Sequence, residues 1–280
     1  MLGHTLFMQL SLKADLDVYA TARSSSGLTR WLPPDLVKKI QLGVDANNFD
    51  TIIRAFASVK PDIVINCIGL IKQLPLASDP LSAITINSLL PHRISLICQS
   101  AGTKMIHIST DCVFDGKAGG YKETDIPNAT DIYGRTKFAG EVPDALTLRT
   151  SIIGRELGTC HGLLEWFLSK RGTKVQGYKK SLFSGVTTNE LSKLVYDIIS
   201  SRKNLTGLYH VAAMPVSKFD LLAGINYYLE NKVEIEPVDG EIIDRSLNGH
   251  KLKCDFKYTP PNWNEMLKEM LITDQMNGDL

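Results

Sequence analysis

The 280 residues predict an α/β fold with a doubly wound parallel sheet and a smaller C-terminal lobe. Three observations carry that prediction. Runs that are apolar nearly throughout, such as 63–67, 105–108 and 145–150, read as strands buried on both faces, as parallel strands are. Segments of helical period separate them, as at 49–58 and 81–100. Near residue 150 the pattern turns irregular, as expected where a smaller lobe is formed partly from returning segments.

Taken in order, residues 2–13 read as an amphipathic helix and 17–22 as a strand. Residues 35–43 hold a second short strand candidate ending near Leu42. A helix follows at 49–58, and a strand at 63–67 behind the breaker Pro61. The helical period of 81–100 stops at Gly102, where a C-cap glycine belongs, and 105–108 is the next strand. A helix starts near Tyr133, and 145–150 is again a strand. Beyond it come a helix at 187–200, a strand at 208–212 and a helix at 218–230. Pro260 and Pro261 introduce a last short helix at 263–271. No repeat, low-complexity tract or linker interrupts the chain. The expected division is 1–150 for the sheet domain and 151–280 for the lobe, with segments able to interleave.

Composition excludes several functions. A formal net charge of +1, with 44% hydrophobic and 22% charged residues, gives no reason to expect nucleic acid or an anionic membrane as partner. No apolar run approaches the ~20 residues of a membrane span, and no signal pattern opens the chain. Five scattered cysteines without C-x-x-C spacing suggest neither disulfides nor zinc, so a reducing cytoplasm is the expected compartment, with Cys67 and Cys98 as core residues. Six dispersed histidines show no metal-ligand spacing, and no metal is expected.

The stretch 107–141 organises the rest. A buried strand ends in the hydroxyls Ser109 and Thr110, a Gly- and Asp-rich loop follows, and then a helix carries Tyr133 and Lys137. A separation of four puts phenol and ammonium on one helical face. A free phenol, with pKa ~10, exchanges protons poorly at neutral pH, and a neighbouring cation would lower that value. Without the surrounding loop, a solvated surface lysine and an amphipathic tyrosine would be the simpler reading. Gly134 would allow close approach of backbone and cofactor.

The start of the chain departs from the pattern. In a doubly wound fold the first strand lies mid-sheet, and its turn presents glycines to a dinucleotide's pyrophosphate. Here Met1-Leu2-Gly3 leads directly into the first helix. Gly3 can serve as the last glycine of a G-x-x-G-x-x-G turn, while the first strand is lacking, and the expectation is that residues belong upstream. Arg23 stands 20 residues after Gly3, about where an arginine would receive the 2′-phosphate of NADP. A solvent-exposed arginine is the competing reading.

These features resemble an extended short-chain dehydrogenase/reductase, and within that group the dTDP-4-dehydrorhamnose reductases and related nucleotide-sugar reductases. The likeness rests on D-I-V-I-N at 62–66, Asn87, S-T-D-C-V-F-D-G at 109–116, Y-G-R-T-K at 133–137 with Gly140 and Glu141, and L-R-T-S at 148–151. It continues through G-L-Y-H-V at 207–211, S-K-F-D at 217–220, D-R-S-L at 244–247 and Y-T-P-P at 258–261. It covers almost the whole chain and implies a Rossmann-like domain with a substrate lobe. The resemblance assigns catalysis to Thr110, Tyr133 and Lys137, with Asn87 anchoring a water in a proton relay. Ser109 is the alternative hydroxyl, pointing the other way along the strand. Cofactor contacts are expected at Leu2, Gly3, Arg23, Asp45, Cys67, Ile68, Gly69, Tyr133 and Lys137, and substrate contacts at Thr110, Asp111, Tyr133, Ile152 and Arg245. Cys112 and Ile152 stand where family members often carry aromatic residues, which leaves the sugar unidentified. Arg149 and Arg245 could each face a diphosphate or make a structural ion pair.

The implied activity is NADPH-dependent reduction of the 4-keto group of a nucleotide-linked 6-deoxy sugar, with NADH as the alternative cofactor, in polysaccharide biosynthesis. The expected partner is a nucleotide-sugar substrate, and a homodimer is left open. The competing classes are a non-catalytic NADP-binding regulatory subunit and a nucleotide-sugar epimerase.

Overall fold

A computed structural model describes residues 1–229 and 232–276. Its centre is a four-stranded, fully parallel sheet. Ile63–Asn66 pairs with Lys104–Thr110, that strand with Leu146–Thr150, and the last with Gly207–His210. A separate parallel pair, Ala20–Ala22 with Ile40–Leu42, continues the same winding. Among the described residues no strand joins the pair to the four, so Ile63–Asn66 is paired along one edge only. The expected Rossmann-like winding is present, with its sheet in two parts.

Side chains of alternating direction along each strand fill two cores. Ile106, Leu146 and Leu148 point into one, where Leu2, Leu6 and Leu10 of the first helix, Leu2–Ser11, meet Leu191, Leu194 and Val195 of Thr188–Ser200. Met105 and Ala145 point into the other, against Leu90, Ile94 and Cys98. Truncating one of the fully buried leucines to alanine costs about 2–5 kcal/mol, because the cavity collapses only in part. The helix at 188–200 and the strand at 207–210 both follow residue 150, and both pack on the central sheet.

The lobe is more regular than its sequence suggests. Lys174–Tyr178 pairs in parallel with Glu234–Val238, and Ser181–Phe183 is flanked by Val216–Ser217 and Ile243–Asp244. Only tertiary pairing reveals these strands, since glycine, proline and charge break their apolar alternation. The short strand expected within 35–43 is Ile40–Leu42, and ahead of it Pro34–Val37 forms a helical turn, with Pro34 near its N-terminus and Asp35 in the first turn. Glu230, expected to end the helix from Lys218, lies outside the described residues, as does 277–280.

Residues 80–101 form one continuous helical run of 22 residues, long and apolar enough to cross a membrane by length and composition. The sequence itself holds no uninterrupted apolar run of this length. The run escapes a search for uninterrupted apolar residues because Asn87, His92 and Arg93 punctuate it. In the fold it is a core helix, and its π-helical turn Ile84–Leu89 carries Asn87 inward.

Candidate active site

The site lies at the C-terminal end of Lys104–Thr110, where ligands of parallel sheets collect. Thr110 ends that strand and caps the short turn Asp111–Val113; its hydroxyl accepts the Cys112 N–H at 3.1 Å and donates to Asp111 at 3.2 Å. The helix Ile132–Ala139 comes back across this end, capped by Asp131, whose carboxylate accepts the Gly134 N–H at 2.8 Å. That cap sets the rotation of the helix, bringing the half-buried Tyr133 to Thr110 and Lys137 beneath it.

Two glycines allow the helix to lie so close. A Cβ at Gly134 would overlap the carbonyl oxygen of Cys112, and one at Gly140 would overlap that of Asn87. Gly134 thus serves helix-to-loop contact rather than the expected approach of a cofactor.

Burial pushes the Tyr133 phenol above its usual pKa, and Cys112 adds to the rise, while a hydrogen bond with Thr110 opposes it. This corrects the expectation that Lys137 would lower it. The Lys137 ammonium donates to the carbonyl of Ile108 at 2.8 Å, and desolvation brings its own pKa down to about 8, with Glu141 and Cys67 pulling it back up. Tyr133 therefore holds its proton across the neutral range, as a proton donor must. Asp111 is raised by burial against hydrogen bonds from Ser151 and Thr110. Burial pushes the Cys112 thiol up to about 12, and Asp111 adds to it.

Asn87 hydrogen-bonds protein partners with both ends of its amide. Its carbonyl oxygen accepts Leu70 N–H at 2.8 Å, and its amide donates to Leu70 O and Thr136 Oγ1, each at 3.3 Å. It ties the turn after Ile63–Asn66 to the helix bearing Tyr133. A Cβ on Gly69 in that turn would lie 3.4 Å from Asn87 and 3.8 Å from the Lys137 nitrogen, and Gly3 approaches Cys67 at 3.8 Å. Gly3 thus lies near Cys67, and Gly69 near Lys137, with Ile68 half-buried between Cys67 and Gly69.

Other expected residues lie apart. Arg23 is exposed, at the end of Ala20–Ala22. Asp45 accepts the Asn47 N–H at 3.0 Å within its own loop. The Leu2 side chain is buried in the core, leaving only its backbone for a ligand. Ile152 is half-buried beside Ser151, whose hydroxyl reaches Asp111. Arg245 does reach the site, its Nε donating to Phe114 O at 2.8 Å.

Beneath these residues lies a buried charge network that sequence spacing left open. Arg149 is 2% exposed and grips Glu141 through two bonds of 2.7 Å. Ser109 donates to the same carboxylate at 2.6 Å. His210 donates from Nδ1 to Tyr121 O at 3.0 Å and takes Arg149 Nη1 on Nε2 at 3.3 Å, an assignment fixed by its partners. Arg149 is thus a structural ion pair, not a diphosphate ligand. A cavity at the opposite ends of these strands, lined by Ile63, Lys104 and Leu146, carries none of this chemistry. Among the described residues no group of His, Cys, Asp and Glu is placed to hold a metal ion.

The chain is similar to several known proteins. A probable low-salt glycan biosynthesis reductase of Haloferax volcanii is 29% identical over 185 residues, covering 61% of this chain and 60% of the relative. The dTDP-4-dehydrorhamnose reductase of Aggregatibacter actinomycetemcomitans is 28% identical over 197 residues, 65% of this chain and 66% of that protein. These alignments span less than two thirds of each relative. The crystal structure of the Bacillus anthracis dTDP-4-dehydrorhamnose reductase in complex with NADP shares the fold, with a TM-score of 0.74 at 23% identity, over 91% of this chain and 98% of that one. The model of the RmlD substrate binding domain family matches residues 1–276. With that match running from the first helix through the last, this chain belongs to the RmlD substrate binding domain family.

Proposed function

We propose that this chain is an NADPH-dependent oxidoreductase that reduces the 4-keto group of a nucleotide-linked 6-deoxy sugar, a step in making activated sugars for polysaccharide. The observation that carries the reading is the convergence of Thr110, Tyr133 and Lys137 at one strand end, near Gly69. The named activities of the two relatives and the NADP in the Bacillus anthracis structure support it.

The residues present fit the nicotinamide half of a dinucleotide: Gly69 brings bare backbone close to the Lys137 ammonium, which has donor capacity beyond its bond to Ile108. Gly3 at the start of the first helix would face the pyrophosphate, Arg23 the 2′-phosphate and Asp45 the adenine. NADH is the alternative. When bound, the reduced nicotinamide supplies the hydride. Tyr133 gives its proton to the substrate oxygen, and Thr110 turns its hydroxyl from Asp111 to that oxygen and stabilises the developing charge. Lys137 positions the ribose and offsets the cost of the nascent phenolate. Asn87 holds the turn around Gly69 and the catalytic helix in register. Asp111, Ile152 and Arg245 border the sugar nucleotide, and the lobe from about residue 151 covers it. A reducing cytoplasm suits the five free cysteines.

The test is NADPH fluorescence on mixing, followed by its loss on adding members of a panel of 4-keto nucleotide sugars. Tyr133→Phe should lower turnover by roughly a hundredfold to ten-thousandfold while NADPH affinity stays put. Undiminished turnover in that variant sinks the mechanism.

A further inference from the structure

We propose that His107 is a positioning residue for the turn 67–70, acting through the amide of Asn66, a role that rests on the cofactor reading above. The register of the central sheet sets the two side by side. Asn66 lies opposite His107, as Val64 lies opposite Met105. Strand alternation therefore puts both polar side chains on the face that packs against Leu90, Ile94 and Cys98. His107 is 0% exposed and Asn66 3%, so each depends on a protein partner for its hydrogen bonds.

The bonds around Asn66 have a fixed direction. The Ile68 N–H donates to Asn66 Oδ1 at 3.1 Å, so the amide nitrogen faces the ring. Asn66 Nδ2 then donates to His107 Nδ1 at 3.1 Å, which makes Nδ1 the lone-pair nitrogen and leaves the ring proton on Nε2, an assignment the partners fix. Burial, then the charges of Lys137 and His92, hold the imidazole well below its usual pKa, so Nδ1 stays an acceptor across the neutral range. Nε2 finds no hydrogen-bond partner among the described residues, which leaves the bond to Asn66 as the one the ring makes there. Turning the Asn66 amide over would set donor against donor at Ile68 and acceptor against acceptor at His107.

The turn is thereby held at both ends. Ile68 is tied through Asn66 to His107, and Leu70 is tied to Asn87, which takes its N–H at 2.8 Å and donates to its carbonyl at 3.3 Å. Between them lies the exposed Gly69, where an added Cβ would stand 3.8 Å from the Lys137 nitrogen. Lys137 in turn donates at 2.8 Å to the carbonyl of Ile108, the residue next to His107 on its strand. A nicotinamide resting on the backbone at Gly69 would thus meet a turn already ordered by a buried histidine it does not touch. Ordering the turn beforehand removes that cost from binding.

NADPH is the probe, titrated by calorimetry into the whole chain and into variants of His107. His107→Leu removes the acceptor and should weaken NADPH binding by roughly threefold to tenfold, the range for one neutral hydrogen bond. His107→Asn returns a carbonyl near the place of Nδ1 and should recover most of that loss. In an Asn66→Leu background, His107→Leu should change NADPH affinity no further, because the path through the amide is already cut. The imidazole 15N spectrum of the unaltered chain should show a bare Nδ1 and a protonated Nε2 throughout the neutral range, and it decides the matter even where His107→Leu does not fold. A proton on Nδ1, unchanged NADPH affinity in His107→Leu, a loss that His107→Asn leaves in place, or full additivity with Asn66→Leu would each overturn the proposal. None of these readouts needs turnover. A chain whose NADPH affinity depends on His107 but which reduces no keto-sugar keeps the positioning role and loses the reductase reading; turnover with an affinity indifferent to His107 does the reverse.

Discussion

Replacing Arg149 by methionine removes a buried charge while keeping most of the stem, and the structure sets the size of the effect. Arg149 is 2% exposed and Glu141 11%, so neither finds much water when its partner goes. The variant deletes two charge-assisted bonds of 2.7 Å and the contact to His210, leaving Glu141 with Ser109 as its remaining donor in this network. An uncompensated buried carboxylate of this kind costs about 3–5 kcal/mol, a large share of the ~5–15 kcal/mol that holds a typical domain folded. Urea unfolding should show a lower midpoint at unchanged slope, since the surface exposed on unfolding is the same. The pair Arg149→Met with Glu141→Met should be more stable than Arg149→Met alone, because removing both charges removes the desolvation penalty. A single-variant loss below about 1 kcal/mol, or a double variant as unstable as the sum of the singles, would refute the claim that this pair is buried and interdependent.

Glu141 also holds up the ammonium of Lys137, so Glu141→Gln should move the titration of Lys137 below its present value of about 8. If the proposed catalysis needs the charged form, the alkaline fall in turnover begins at lower pH in this variant, which a pH–rate profile reads directly. Folding depresses Lys137 from 10.5, so on raising pH the folded state releases that proton first, and its contribution to stability grows between about 8 and 10.5. Gly140→Ala should destabilise by about 1–3 kcal/mol, since the added methyl meets the Asn87 carbonyl and forces the catalytic helix outward. Its turnover should fall further than its stability, as a comparison of melting temperature with rate at a permissive temperature would reveal.

The sheet was legible because its strands are local apolar runs. Residues 63–66, 104–110 and 146–150 announce themselves without reference to neighbours, and Tyr133 with Lys137 needs only the pitch of one helix. The strands at 174–178, 181–183, 234–238 and 243–244 were missed for the opposite reason. They are short, polar or proline-bearing, and become strands because a partner fixes them. Arg149 and Arg245 show the same division at the site. Both follow recognisable motifs, but spacing could not say that one grips Glu141 while the other donates to carbonyls and keeps its charge free of a carboxylate.

Sequence alone carried the central strands at 63–66, 104–110 and 146–150 and the helix that puts Tyr133 and Lys137 on one face, because each depends on periodicity within a few residues. Tertiary structure decided the electrical character of those groups. The Tyr133 phenol is raised rather than lowered, and Lys137 is brought to about 8, because burial outweighs the mutual effect of neighbours one turn apart. It also brought Arg149 and His210, 61 positions apart in the chain, to 3.3 Å. Desolvation and long-range proximity are properties of the packed chain, and no local pattern encodes them.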